Sequence, residues 1–196
     1  MAARPGLIVL DRDGVLNATV PNPAEPRPDS PLRPSEVVVH PWVPGVLRAL
    51  CDAGYGLVIA SNQPAFAKGK ATMDELRQVH QRVVEGAESA GAVILSSHIC
   101  FHRAEDGCAC RKPAVGLLRE AFARHPTFRI EDSWMVGDRA TDVLAGAAFS
   151  LRTALVAGAG AAEELATLAA LAARAVRPSF CGDDLRDFGR FLLGPS

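Results

Sequence analysis

The chain has almost no net charge: 21 lysines and arginines face 22 aspartates and glutamates, leaving −1 at neutral pH. No overall basic field therefore draws it to nucleic acid, and none is expected as a partner. No apolar run is long enough to span a bilayer, so no membrane partner is expected. No segment repeats along the sequence, and the five residues MAARP ahead of the first apolar run are too short for a secretory leader. The expectation is a cytoplasmic protein whose thiols stay reduced. What remains is ordinary for a globular chain: 196 residues, 48% hydrophobic and 22% charged, enough for a single domain over 1–196 with a full core. Nothing in the pattern asks for more than a monomer.

Short apolar runs at 7–10, 57–60, 92–99, 133–136 and 153–156 read as buried strands. Between them, 44–53, 72–90, 114–124, 139–148 and 161–173 read as helices, with 183–193 as a last one. Thr72 followed by Glu75 three residues on is a capping-box signature. Strands alternating with helices predict an α/β fold, a doubly wound parallel sheet covered on both faces. Ligands of such sheets lie at the carboxyl ends of the strands. Residues 21–34 are proline-rich and read as a loop.

The polar residues gather at those strand ends. Asp11-Arg12-Asp13-Gly14 follows the first strand. Residues two apart in an extended segment point the same way, so Asp11 and Asp13 share a pocket while Arg12 points elsewhere. Two carboxylates held together need a cation or a proton; magnesium takes such hard oxygen ligands and is commonly shared with phosphate. Gly137-Asp138-Arg139-Ala140-Thr141-Asp142 adds carboxylates after another strand, with Asp138 placed to complete a metal site. Ser61, Asn62 and Gln63 follow the second apolar run, where a hydroxyl and N–H groups suit phosphate oxygens. Lys112 is a candidate phosphate partner. Taken one at a time, these motifs also fit a solvated turn, a helix N-terminus capped by acids, a plain turn and a surface lysine.

Three of the five cysteines lie close to a histidine: Cys100-x-His102 and Cys108-x-Cys110. Two such pairs facing each other make a closed Cys3His set, suited to tetrahedral structural zinc with no open position. Free cysteines beside a surface histidine are the alternative.

The ordered set of Asp-x-Asp-Gly, a hydroxyl after a second strand, a lysine and Gly-Asp-x-x-x-Asp resembles the haloacid dehalogenase superfamily of phosphatases. The resemblance implies a Rossmann-like fold, with Asp11 as nucleophile and Asp13 as general acid and base. It implies phosphate contacts from Ser61 and Lys112, and magnesium held by Asp11, Asp138 and the main-chain carbonyl of Asp13. The zinc loop 100–110, running into Arg111-Lys112-Pro113, is similar to that of heptose bisphosphate phosphatases, and a similar loop occurs in histidinol-phosphate phosphatases. Asn17 and the segment Ala67-Lys68-Gly69-Lys70 resemble the heptose branch; the Gly137–Asp142 motif is equally similar to the histidinol branch. By the same resemblance Arg111 helps recognise a sugar phosphate. The chain is too short for a large cap domain, and the zinc and proline-rich loops are expected to shape the pocket rim instead. A zinc-stabilised binding protein that has lost catalysis is the reading from another class.

Overall fold

The structure is a computed structural model, and it describes residues 5–22, 28–157 and 161–194. A six-stranded sheet has the order β3-β2-β1-β4-β5-β6, formed by β1 (Leu7–Leu10), β2 (Gly56–Asn62), β3 (Ile94–Cys100), β4 (Trp134–Gly137), β5 (Arg152–Val156) and β6 (Phe180–Gly182). Every pairing is parallel. The helices are α1 (Val43–Asp52), α2 (Met73–Ala87), α3 (Gly116–Arg124), α4 (Ala140–Ala148), α5 (Ala161–Ala172) and α6 (Leu185–Leu193).

The alternation of strand side chains explains the two layers. Ile8, Leu10, Leu57, Ile59, Trp134 and Val136 point to one face and pack with Leu47 and Leu50 of α1, Val83 of α2 and Phe188 of α6. Leu7, Val9, Val58, Ala60 and Met135 point to the other and meet Leu117, Leu118 and Ala121 of α3 and Ala145 of α4. Leu171 of α5 packs with Val143 and Leu155 beside that layer. Both faces are covered, so β1 is buried from end to end, as a central parallel strand must be. Each such leucine or isoleucine contributes about 1.5–3 kcal/mol by leaving water.

The expected doubly wound sheet is present. Among the described residues no large cap domain interrupts it: β1 and α1 are joined by a loop holding one short 3-10 turn, Pro34–Glu36. Thr72 caps α2 as its sequence predicts, its Oγ1 accepting from Glu75 N at 3.2 Å while Glu75 Oε2 accepts from Thr72 N at 2.8 Å. Part of the proline-rich loop, 23–27, lies outside the described residues; Val20 and Asp29 bridge antiparallel across it. Strand β6 has no counterpart among the expected elements. It has three residues, none fully buried, and pairs only with β5, so the sequence offers no apolar run to reveal it.

Candidate active site and metal centres

The strand order reverses direction at β1 and β4, which places the switch-point crevice where Asp11 and Asp138 emerge. Asp11 N donates to Val136 O at 2.8 Å, tying the end of β1 to β4. Asp142, in the first turn of α4, is buried and accepts from Arg139 N at 3.0 Å. Carboxylate oxygens of Asp11, Asp138 and Asp142 lie within 4.8 Å of one another. Gly14 has φ +85°, and a Cβ there would fall 2.3 Å from Asp138 Oδ2. Only glycine permits this turn together with so close a carboxylate.

Lys112 is the counter-ion of the cluster, 2% exposed. Its Nζ lies 3.0 Å from Asp11 Oδ1 and 2.5 Å from Asp142 Oδ1, and donates to Ala60 O at 2.6 Å. Burial alone would lower its ammonium pKa, but Asp11 and Asp142 outweigh that and hold it charged. One lysine does not neutralise three acids. Asp138 is pushed well above the usual carboxylate range, by burial first and then by Asp11 and Asp142. Asp142 is raised to about 6 by burial, against the pull of Lys112. Asp138 Oδ1 is buried with no hydrogen-bond partner. An orphan carboxylate oxygen in an excess of negative charge fits a hard dication such as magnesium.

Asp13 stands apart from that triad. Its Oδ1 accepts from Arg12 Nε at 3.1 Å and Asn17 Nδ2 at 3.0 Å; its Oδ2 accepts from Arg12 Nη2 at 3.0 Å and Gln63 Nε2 at 2.6 Å. Burial works to raise its pKa, but Arg12 and these hydrogen bonds outweigh it and keep the carboxyl below its ordinary value. The expectation that Arg12 points elsewhere is corrected here. Strand geometry ends at Leu10, the chain bends at Arg12, and the buried guanidinium folds back onto Asp13. Neither Arg12 nor Asn17 stands out in the sequence as part of the site by its chemistry; Asp142, the second acid of the Gly-Asp-x-x-x-Asp motif, joins both the acid cluster and the Lys112 ion pair.

Ser61, at the end of β2, is 1% exposed and lines the same cleft as Asp11, Lys112 and Asp138. Asn62 and Gln63 behave differently from side chains reaching for phosphate. Asn62 Nδ2 donates to Lys112 O and its Oδ1 accepts from Lys112 N, both at 3.0 Å. Gln63 Nε2 donates to Asp13 and to Ser61 Oγ, and its main-chain N–H donates to Cys100 O at 2.6 Å. Arg111 lines the cleft, with Nη1 donating to His102 O at 3.0 Å.

The sulfurs and nitrogen of the cysteine loop converge. Cys110 Sγ is 3.2 Å from Cys100 Sγ, 3.4 Å from Cys108 Sγ and 3.2 Å from His102 Nδ1; Cys100 Sγ is 3.7 Å from Cys108 Sγ. These lie near the ~3.5–3.8 Å edges of a tetrahedron with zinc–ligand bonds of about 2.0–2.3 Å, and far from a disulfide of about 2.05 Å. All four ligand atoms lie within 4.8 Å of one another, so the Cys3His set fits a closed zinc site. Its thiols are poised unevenly: burial pushes Cys100 to about 12, while Cys108 falls to about 7 as the N–H of Arg111 and the thiol of Cys110 outweigh its slight burial.

These parts surround a cleft of about 660 Å³. Its floor is the acid cluster with Ser61 and Lys112. Its walls come from Pro28–Ser30, Lys68, the zinc loop and Ala166, Thr167 and Ala170 of α5. Asp29, inside the proline-rich loop, accepts from Lys70 Nζ at 2.7 Å, closing one side of the rim.

A parallel sheet in this order, with acids at its switch point and a buried lysine between them, defines a hydrolase of the haloacid dehalogenase type, and the HAD-hydrolase-like family model matches residues 109–188. The D-glycero-beta-D-manno-heptose-1,7-bisphosphate 7-phosphatase of Pseudomonas putida is 32% identical over 155 residues, covering 76% of this chain and 81% of that protein. The crystal structure of the D,D-heptose 1,7-bisphosphate phosphatase from B. bronchiseptica, complexed with magnesium and phosphate, matches with a TM-score of 0.77 at 28% identity, over 96% of this chain and 98% of that one. The histidine biosynthesis bifunctional protein HisB of Legionella pneumophila is 31% identical over 136 residues, 69% of this chain but 37% of that protein. The chain belongs to the heptose bisphosphate phosphatase family of the haloacid dehalogenase superfamily.

Proposed function

We propose that the protein is a magnesium-dependent phosphatase that hydrolyses D-glycero-D-manno-heptose 1,7-bisphosphate to the heptose 1-phosphate through an aspartyl-phosphate. The observation that carries this reading is the buried cluster of Asp11, Asp138, Asp142 and Lys112 on the floor of a 660 Å³ cleft. A carboxylate oxygen of Asp11 attacks phosphorus while the bond from phosphorus to the sugar oxygen breaks. Asp13, kept below its ordinary pKa in the free protein by Arg12 and its hydrogen bonds, takes up a proton as the phosphate anion docks beside it. It gives that proton to the sugar oxygen, and afterwards takes one from the water that attacks the aspartyl-phosphate. Ser61 and Lys112 hold the phosphoryl oxygens, and Arg111 and Lys68 on the rim are placed for the rest of the substrate.

Asp11, Asp138 and Asp142 with the main-chain carbonyl of Asp13 would hold the magnesium. Bound there, it supplies positive charge that screens the nucleophile from the phosphate. Cys100, His102, Cys108 and Cys110 would hold zinc as a structural ion. All five cysteines are free, which supports an enzyme of a reducing compartment such as the cytoplasm. Among the described residues no helix is long and apolar enough to cross a membrane.

The reading is tested by comparing kcat/KM on heptose bisphosphate and on histidinol phosphate, with magnesium in excess and zinc verified. At least a tenfold preference for the heptose ester is expected, about 1.4 kcal/mol of discrimination. A preference for histidinol phosphate would move the substrate to the other branch. Turnover of neither, by a folded and metal-loaded chain, would leave a binding protein.

A further inference from the structure

Gln63 is 1% exposed, and every hydrogen-bonding group of its side-chain amide has a partner. Its Oε1 accepts from Arg12 Nη2 at 2.8 Å. Its Nε2 donates to Asp13 Oδ2 at 2.6 Å and to Ser61 Oγ at 2.9 Å. Arg12, also 1% exposed, sends Nε and Nη2 to the two oxygens of Asp13. Arg12, Asp13 and Gln63 thus form a closed ring, with Ser61 attached to it through Gln63.

The direction of these bonds follows from the chemistry of Arg12. A guanidinium has donors only. The face of the Gln63 amide turned to Arg12 must therefore be its oxygen, and the NH2 is forced toward Asp13 and Ser61. Were the amide reversed, Nε2 would meet the Arg12 donors and two buried donors would lack an acceptor, at the cost such groups carry. With the amide so fixed, one lone pair of Ser61 Oγ is occupied by an incoming N–H. The Ser61 hydrogen is then left to be donated away from Gln63, and because Ser61 lines the cleft, a phosphate oxygen bound there is an available acceptor.

We infer that Gln63, its amide direction set by Arg12, is a positioning residue that holds Asp13 in place for proton delivery and turns the Ser61 hydroxyl into a donor toward the phosphate. This rests on the roles proposed above for Asp13 and Ser61. The step served is the first one: the Asp11–phosphorus bond forms, the bond from phosphorus to the ester oxygen breaks with its electron pair on oxygen, and a proton that Asp13 has taken up on docking of the phosphate anion neutralises that oxygen. Gln63 and Arg12 touch no reacting atom and act through Asp13 and Ser61.

Two variants separate positioning from mere support. Gln63→Met keeps the volume and removes the amide. Gln63→Glu keeps the shape but replaces the NH2 by an acceptor, which would take the Ser61 hydrogen for itself. Each is compared with wild type by kcat/KM on an alkyl sugar phosphate, whose leaving oxygen needs a proton, and on p-nitrophenyl phosphate, whose leaving group does not. Inorganic phosphate as a competitive inhibitor reads the Ser61 donor. For Gln63→Met, roughly a 100-fold loss is expected on the alkyl ester and under tenfold on the aryl ester, against the 10²–10⁴-fold typical of acid catalysis. For Gln63→Glu, inhibition by phosphate should weaken about tenfold, the worth of one good hydrogen bond. Equal losses on both esters with unchanged phosphate inhibition would overturn the inference, as would near-normal kcat/KM in Gln63→Met. Asp13→Asn is the control. If it too lacked leaving-group dependence, the acid role of Asp13 would fail; if it showed that dependence and the Gln63 variants did not, only the positioning role would fail.

Discussion

The Lys112 ammonium donates to Ala60 O and forms close ion pairs with Asp11 Oδ1 and Asp142 Oδ1. A buried lysine is tolerable only when paired in this way. To hold a phosphoryl oxygen it would loosen one of these ion pairs, and Asp11 is the partner that loses its charge when the nucleophile becomes an acyl phosphate. Asp11→Asn should therefore separate chemistry from stability. Turnover should fall by several orders of magnitude, on the order of 10⁴–10⁶-fold as for other lost nucleophiles. Without magnesium the melting temperature should hold or rise, since Asp11 is one of the charges that raise Asp138 and Asp142; a folded variant with near-normal kcat would rule out the nucleophile. His80 gives a second test away from the metal site. It faces the hollow behind Arg12, with Gln63, Arg77 and Phe101 around it, and its Nδ1 is buried without a partner. Burial first, and then Arg12, depress it from 6.5 to about 4, with Asp13 pulling slightly the other way. A depressed folded value means that the unfolded chain takes up the proton first. This contribution is whole above about pH 6.5 and is lost as pH falls toward about 4. His80→Gln should flatten the fall in urea midpoint between pH 7 and pH 4; an unchanged acid slope would remove His80 as its source. At this scale the sequence is only partly readable. Asp11, Ser61, Lys112 and Asp138 are legible because each lies at a strand end or beside a motif. Arg12 is not, because its direction depends on where β1 stops, and strand alternation applied past Leu10 assigns it the wrong side.

The zinc loop is legible for the opposite reason: its four ligands come from one short stretch, so residue type and spacing carry the answer without the rest of the fold. Cys100 closes β3, and Cys108 and Cys110 return beside it, so the loop begins on a rigid strand and ends at Lys112. Asn62, at the end of β2, clamps the Lys112 main chain with two hydrogen bonds of 3.0 Å. The lysine is thus held from two sides, by the metal loop and by a strand end. Losing one zinc ligand should act on both stability and activity. Cys108→Ser should lower zinc content below one per chain and reduce the melting temperature, because a loop without its own core depends on the ion for order. It should also reduce kcat/KM, by about tenfold or more, through a displaced Lys112. Elemental analysis beside a thermal melt and an assay checks all three. Zinc unchanged in Cys108→Ser combined with Cys110→Ser would dismiss the assignment. The element missed altogether, β6, has no such local signal: three part-buried residues become a strand only because β5 offers them an edge.

For the molecule as a whole, the parallel sheet gathers like charges at one point. Asp11 comes from the end of β1, Asp138 from the end of β4, and Asp142 from α4, which follows β4 directly. Asp11 is far in sequence from the other two, yet the strand order brings β1 and β4 side by side, which is why the alternating pattern of strands and helices suffices to locate the site. The same convergence makes the fold carry negative charge that is only partly relieved, since among the described residues Lys112 is the one lysine within the cluster, Arg139 Nε stands 3.9 Å from Asp138 Oδ2, and Asp138 Oδ1 has no hydrogen-bond partner. A dication that binds there only in the folded state must stabilise the whole domain by linkage, by about 2.7 kcal/mol at a hundredfold excess over its dissociation constant. At roughly 2–4 °C per kcal/mol for a chain of this size, magnesium added to metal-stripped protein with zinc retained should raise the melting temperature by roughly 5–10 °C. Calcium, with longer and looser coordination, should recover part of that shift and little of the turnover, because charge relief needs only a cation whereas phosphoryl transfer needs its tight geometry. Asp138→Asn should reduce the magnesium-induced shift while raising the melting temperature of the metal-free protein, since it removes one of three mutually repelling carboxylates, the one whose own cation, Arg139, lies 3.9 Å away. The measurement is a set of thermal melts and assays across magnesium and calcium, with both metals quantified. Full activity after magnesium is removed, or a melting temperature indifferent to it, would show that the acid cluster is not a magnesium site.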